Sequence, residues 1–203
     1  MARRTKEEAE QTRESLIAVA ERLFLEKGVA KTSLVDIAHA AGVTRGAIYW
    51  HFEDKDALFQ AMHEQVKLPF DLLVEEAIAK DDPVEGLRHV IIKSLLNIVH
   101  NERSRNIFKI LAFRCDQEAQ KCEGVPREQQ CRSNVLVKME KILTKIDKMG
   151  KLDKAYTPHD AAYYLHSFMI GSFLDYVRYT DEYDLEKLAP TFVDTLFKGL
   201  FVD

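Results

Sequence analysis

The chain has 203 residues, of which 46% are hydrophobic and 31% charged, and a formal net charge of −4; this is ample apolar material for one large packed domain or two small ones. No apolar run reaches the roughly 18 residues of a membrane helix, and the start, Met1-Ala-Arg-Arg-Thr-Lys-Glu-Glu, is charged with no apolar stretch behind it, which argues against a secretory signal and for the cytoplasm. A net negative chain also argues against coating nucleic acid through bulk charge, so any such surface has to be local.

Almost every segment has helical periodicity, and none alternates apolar and polar residues long enough for a sheet, so the expected fold class is all-α. The first helix opens on a capping box, Thr5-Lys6-Glu7-Glu8, presents Leu16, Ile17, Ala20, Leu23 and Phe24 on one side, and ends at Gly28, where a left-handed C-cap is easiest for glycine. Ser33 caps a second helix that faces inward with Leu34, Ile37, Ala38 and Ala41. Gly42-Val43 turns the chain, and Thr44 caps a third helix over about 45–51. Asp54 opens a fourth helix, with Leu58, Phe59, Met62 and Val66 inward; Pro69 is expected to kink or interrupt it.

Asp82-Pro83-Val84-Glu85 is a strong start signal for a fifth helix, with cap, proline and acid in order. A sixth is expected over about 103–115. The polar stretch Asp116–Gln130 contains Gly124 and Pro126 and is expected to be partly loop. A seventh helix carries Val135, Leu136, Met139, Ile142, Leu143 and Ile146 and ends near Gly150. Thr157-Pro158-His159-Asp160 opens an eighth that runs to about Tyr179, and Asp184 opens the last, with Pro190 delaying its regular part. Three short helices precede residues 53–56 and longer ones with wider apolar faces come after, which places a domain boundary there: 1–54 and 55–203.

The chemistry concentrates in residues 32–55, TSLVDIAHAAGVTRGAIYWHFEDK. A helix entering the major groove needs small residues where its backbone nears the duplex and polar side chains aimed at phosphates and base edges. Thr44 and the free N–H groups behind it suit a phosphate. Arg45 is long enough to pair with guanine O6 and N7, a contact worth about 1–3 kcal/mol of base discrimination. Gly46 allows close approach, and Ala47 suits a thymine methyl. Ile48 and Phe52, four apart, should face inward, leaving Tyr49 and His51 towards phosphate oxygens. Lys55 would reach another phosphate from the start of the fourth helix, and Thr32 and Ser33 would do so from the start of the second. Trp50 belongs to the same surface, although Tyr49 and Trp50 taken singly are better explained as packing aromatics. Arg3, Arg4 and Lys6 make a basic tail, and Lys27 and Lys31 add positive charge that neighbouring acids offset.

This constellation resembles the signature of TetR-family transcriptional regulators over Thr32–Leu58. The run Arg3-Arg4-Thr5-Lys6-Glu7-Glu8-Ala9, the string GVTRGAIYWHF and a short echo at Ile107–Asp116 (IFKILAFRCD) are similar, more narrowly, to repressors of multidrug efflux pumps. The resemblance implies an all-α homodimer of about nine helices, with an N-terminal helix-turn-helix domain and a C-terminal domain for effector binding and dimerisation. Two heads would bind successive major grooves of palindromic double-stranded operator DNA. The last two helices of each subunit would form the dimer interface, with Phe168, Phe173, Tyr176, Phe192, Leu196, Phe197 and Leu200 as its apolar stock. A hydrophobic small molecule would sit among the fourth to eighth helices and move the fourth, releasing the operator. Its lining would come from Phe70, Leu95, Val99, Phe108, Leu111, Phe113, Met139, Leu143, His166, Met169 and Ile170, a soft, aromatic set suited to apolar ligands. Asp116, Asp175 or Glu102 would favour a cationic ligand and Arg114 an anionic one, although each is simply explained as surface charge. Phe108 and Ala112, where polar pocket residues are expected, and Ile170, where an acid can occur, depart from the drug-binding relatives.

The other readings are weaker. HExxH, GxSxG, a Walker loop and GxGxxG are all missing from the sequence, which argues against an enzyme and calls for no cofactor or metal. Cys115, Cys122 and Cys131 are an odd set without CxxC spacing, so reduced, incidental thiols are expected rather than a redox sensor. An architectural DNA protein would need more positive charge and less second domain. A regulator of other metabolic genes, or an activator, stays open, because the sign of regulation depends on operator position.

Overall fold

The computed structural model describes residues 6–114, 125–180, 182 and 184–202. In chain order the helices are α1 (Lys6–Lys27), α2 (Leu34–Ala40), α3 (Arg45–His51), α4 (Lys55–Ala79), α5 (Pro83–His100), α6 (Glu102–Lys109), which runs into a π-helical turn (Ile110–Arg114), α7 (Val125–Lys148), α8 (Pro158–Arg178) and α9 (Leu185–Leu200). Among the described residues no strand forms; a lone antiparallel bridge pairs Leu152 with Phe201.

The punctuation residues do what their chemistry allows. Gly28 closes α1 at φ 86 and donates to the Phe24 carbonyl at 2.9 Å. Gly42 turns α2 towards α3 at φ 68, and the next amide, Val43, reaches back to the Ala38 carbonyl at 3.0 Å, a Schellman-type closure. Asp82 caps α5 through Val84 N–H and Glu85 N–H, with Pro83 at the first helical position. Thr157 caps α8 and Asp184 caps α9 in the same way.

Three expectations need correction. The helix α4 continues through Pro69 without the interruption that is one of the two effects expected of it: proline removes one hydrogen bond from a long ladder, and the turns on either side carry the helix through. Pro190 likewise lies inside α9, which already starts at Leu185. The seventh helix begins at Val125, ahead of the expected loop-to-helix change near residue 130, because Pro126 falls in its first turn, where a missing N–H costs nothing. The Thr5 cap and Arg3 and Arg4, together with Cys115, Cys122, Asp116 and Gly124, lie outside the described residues.

Packing divides the chain into two units. One takes the chain as far as Val66 and resumes at Asn106; the other takes Lys67–Arg105 and resumes at Pro126. The division thus falls inside α4, whereas the boundary expected from sequence lies at the loop before it. The first unit is built around Leu16, Ile17, Phe24, Ile37, Ile48 and Met62, all fully buried, with Ile107 and Ile110 completing the same core. In the second unit α5 packs on α8 and α9, and Arg88 of α5 donates through Nε and Nη2 to Asp194 of α9, at 3.0 and 2.5 Å. That pairing raises the Arg88 pKa further above its ordinary value. Asp71 of α4 pairs with Lys138 of α7 at 2.5 Å, and Lys145 Nζ donates to the carbonyls of Ile78 and Lys80 at the end of α4.

At the α4–α5 approach, a Cβ on Gly86 would lie 3.0 Å from the Ala77 carbonyl oxygen and 3.1 Å from its Cα. Gly86→Val is therefore expected to lower stability by about 1–3 kcal/mol through overpacking against backbone. Gly86→Ala should lose less, since alanine recovers about 1 kcal/mol of helix propensity. Urea midpoints of both variants check the order.

Candidate nucleic-acid interface

The second and third helices are short, and their caps set the site. Ser33 and Asp36 form a reciprocal capping box: Asp36 N–H donates to Ser33 Oγ at 3.1 Å, and Ser33 N–H donates to Asp36 Oδ2 at 2.9 Å. The Ser33 hydroxyl also donates to Asp36 Oδ2 at 2.6 Å, and these bonds hold the Asp36 carboxyl below its ordinary pKa. Thr44 caps α3, its Oγ1 accepting from Ala47 N–H at 3.2 Å. With their N-termini capped in this way, seven-residue helices that would be marginal alone are held by the core beneath them.

The core fixes which side of α3 is outward. Ile48 is fully buried and Phe52 nearly so, as their spacing predicts. Arg13 of α1 lies over the Phe52 ring, 5.4 Å from its centroid. On the opposite side Thr44, Arg45, Gly46, Tyr49 and Trp50 are exposed, while Ala47 and His51 are half-buried. Trp50 is 73% exposed and Tyr49 44%. The indole of Trp50 meets the His51 ring edge-on at 4.6 Å, so Trp50 belongs to the outward surface and not to the core. The Arg45 guanidinium lies over the Tyr49 ring, 5.6 Å from its centroid.

Two expected phosphate contacts look different in place. Thr32 is buried at 1% exposure and its hydroxyl donates to the Gly28 carbonyl at 2.8 Å, so that hydroxyl is committed to closing the α1–α2 turn and is not offered to a phosphate. The Lys55 ammonium donates to the Val29 carbonyl at 2.8 Å, tying the start of α4 to the same turn; two of its three N–H donors remain. No spacing rule finds a bond across 26 residues, and sequence reasoning missed it. Lys55→Met is expected to cost about 1–2 kcal/mol, because the Val29 carbonyl is left partly buried without its charged donor. Chemical denaturation reads that loss. Should the ammonium also touch a phosphate, the log–log salt slope of DNA binding falls by about 1 per head.

The expected effector residues do not all share a unit. Phe70, Leu95, Val99, Met139, Leu143, His166, Met169 and Ile170 belong to the second, where Leu95, Met139 and Leu143 are fully buried. Phe108, Leu111 and Phe113 belong to the first: Leu111 packs against that unit's core and Phe113 is exposed. The expected dimer stock also divides. Leu200, Phe197 and Tyr176 are buried within the chain itself, on helices that pack on α5. Phe168, Phe173, Phe192 and Leu196 stay half-buried, and Phe168 meets Phe192 edge-on with centroids 6.4 Å apart.

A capped helix, a glycine turn and a second helix with a polar-aromatic outward face, in a chain with a helical second unit, define a helix-turn-helix regulator. The model for bacterial regulatory proteins of the tetR family matches residues 16–62, and that for the C-terminal region of MAATS-type transcriptional repressors matches residues 82–201; the chain belongs to the TetR family. It is 36% identical to the transcriptional repressor BepR of Brucella suis over 85% of this chain and 83% of that one. It is 34% identical to the regulator TtgR of Pseudomonas putida over 96% and 94%. Among solved structures it matches NalD, the secondary repressor of the MexAB-OprM multidrug efflux pump in Pseudomonas aeruginosa, with a TM-score of 0.87 and 35% identity over 98% of this chain and all of that one. A SmeT–triclosan complex matches with a TM-score of 0.86 and 32% identity over 95% and 93%. No helix among the described residues is long and apolar enough to cross a membrane.

Proposed function

We propose that this chain is a ligand-responsive repressor that occupies, as a homodimer, a palindromic operator controlling a multidrug efflux operon, and leaves it when a hydrophobic small molecule binds the C-terminal helices. The observation that carries the reading is the outward face of α3, where Arg45, Gly46, Tyr49 and Trp50 stand exposed beside the Thr44 cap. Near-full-length relatives that include an efflux-pump repressor supply the regulated function. In this reading Arg45 and Ala47 meet base edges, and Thr44, Tyr49, His51, Ser33 and the spare donors of Lys55 meet phosphates. Phe168, Phe173, Phe192 and Leu196 cover one another across the dimer, which sets the two heads one helical turn of DNA apart, about 34–36 Å. The effector lies against the apolar residues of the second unit, and the triclosan held by a relative is the class of compound expected.

A footprint of the full-length protein on DNA flanking its own gene tests the reading. One protected palindrome is expected, with a dimer in sedimentation and release on adding triclosan or another hydrophobic drug. No preference for that DNA over a scrambled duplex at moderate salt would overturn it.

A further inference from the structure

The outward face of α3 carries two aromatics, and they are not equivalent. Trp50 is engaged with His51. Tyr49 lies one helical turn after Arg45, and its ring sits under the guanidinium, whose Cζ is 5.6 Å from the ring centroid. The described residues offer Arg45 no carboxylate partner, so this stack is what orders its long side chain in the free protein. An arginine left loose in water loses its rotamer freedom on meeting a base; one already laid on an aromatic platform has less to lose. Tyr49 follows the fully buried Ile48, which anchors this turn of α3 to the core beneath it.

We propose that Tyr49 is a positioning residue for base readout: its ring holds the Arg45 guanidinium ready for a guanine edge, independently of any contact its phenol oxygen makes with a phosphate. The proposal rests on the reading of α3 as the DNA-reading helix and assigns the two parts of one side chain different jobs. The ring serves sequence discrimination at one position of each half-site. The hydroxyl serves affinity for all sequences alike.

The experiment selects bound duplexes from a random pool with the full-length protein and its Arg45→Ala, Tyr49→Phe and Tyr49→Leu variants. It then measures affinities for the selected duplex and for single-pair changes in it. Arg45→Ala identifies the base pair that Arg45 reads. Tyr49→Leu is expected to lower discrimination at that same pair by about threefold to fivefold and nowhere else. Tyr49→Phe is expected to keep discrimination while weakening all duplexes together. The double variant Arg45→Ala/Tyr49→Leu should discriminate no worse at that pair than Arg45→Ala alone. Tyr49 is exposed, so the variants should fold, and thermal unfolding verifies it. Tyr49→Leu discrimination equal to wild type, or an Arg45→Ala preference unchanged at every position, would overturn the proposal while leaving DNA binding intact. A wild-type protein that enriches no sequence would instead sink the DNA-reading function, and this role with it.

Discussion

Arg45→Ala is expected to remove sequence preference at the one base pair it reads in each half-site while leaving general attraction to DNA nearly unchanged. The residue is exposed at the first turn of α3, and Gly46 beside it lets the helix backbone come close to the duplex. A bidentate arginine–guanine contact discriminates by about 1–3 kcal/mol. A homodimer uses it twice, so the loss on a palindrome approaches about 2–6 kcal/mol, or roughly 30-fold to more than 10,000-fold. The guanidinium in this role faces a base and not a phosphate, so the salt dependence should hardly change. Titrations of the selected duplex and of a scrambled one at several salt concentrations separate the two. A parallel loss on both duplexes, with a slope reduced by about 1 for each head, would place Arg45 on the DNA backbone instead.

The second large effect comes from a residue that touches no DNA. Ile48 is fully buried beneath α3, and Ile48→Ala is expected to destabilise the first unit by about 2–5 kcal/mol through the transfer loss and the cavity left behind. Each unit has its own core, so the loss should fall on one of them. The chain contains a single tryptophan, Trp50, and it sits on α3, so its emission reports the head directly. In urea the Trp50 transition is expected to move to lower concentration, while most of the far-ultraviolet helix signal, which the second unit dominates, persists to the wild-type midpoint. DNA binding should fall with the Trp50 transition although every outward atom of α3 is unchanged. Coincident transitions by both probes would show that the units unfold as one.

The local signals are readable wherever one residue's covalent nature decides the matter. Gly28 and Gly42 take positive φ, Ser33 and Thr44 accept from the helices they open, and Ile48 and Phe52 turn inward. The all-α class comes from the same signals. The start of α7 is hard to read because Pro126 and the polar residues after it imitate a loop, although proline in a first turn is harmless. Thr32 shows the other limit. Its polarity suggests the surface, yet a hydroxyl is small enough to be buried once it finds a carbonyl one turn away, here that of Gly28. Lys55–Val29 and Arg13–Phe52 are invisible in the sequence because they join residues remote along the chain. The Arg45–Tyr49 stack is visible in principle, since four-residue spacing places the two on one side of a helix. For α8 and α9, amphipathicity marks the apolar side chains without separating Phe197 and Leu200, which the subunit buries itself, from Phe168 and Phe192, which it leaves half covered.

The division within α4 makes one continuous helix a part of two separate cores. Its early residues Leu58 and Met62 belong to one core and its later residues Val74 and Ala77 are buried in the other unit. Exchanging heads between relatives therefore has to carry the first part of α4 along with the head. A chimera joined in the loop before α4, where a sequence boundary invites the cut, would separate Leu58 and Met62 from the side chains they evolved to meet.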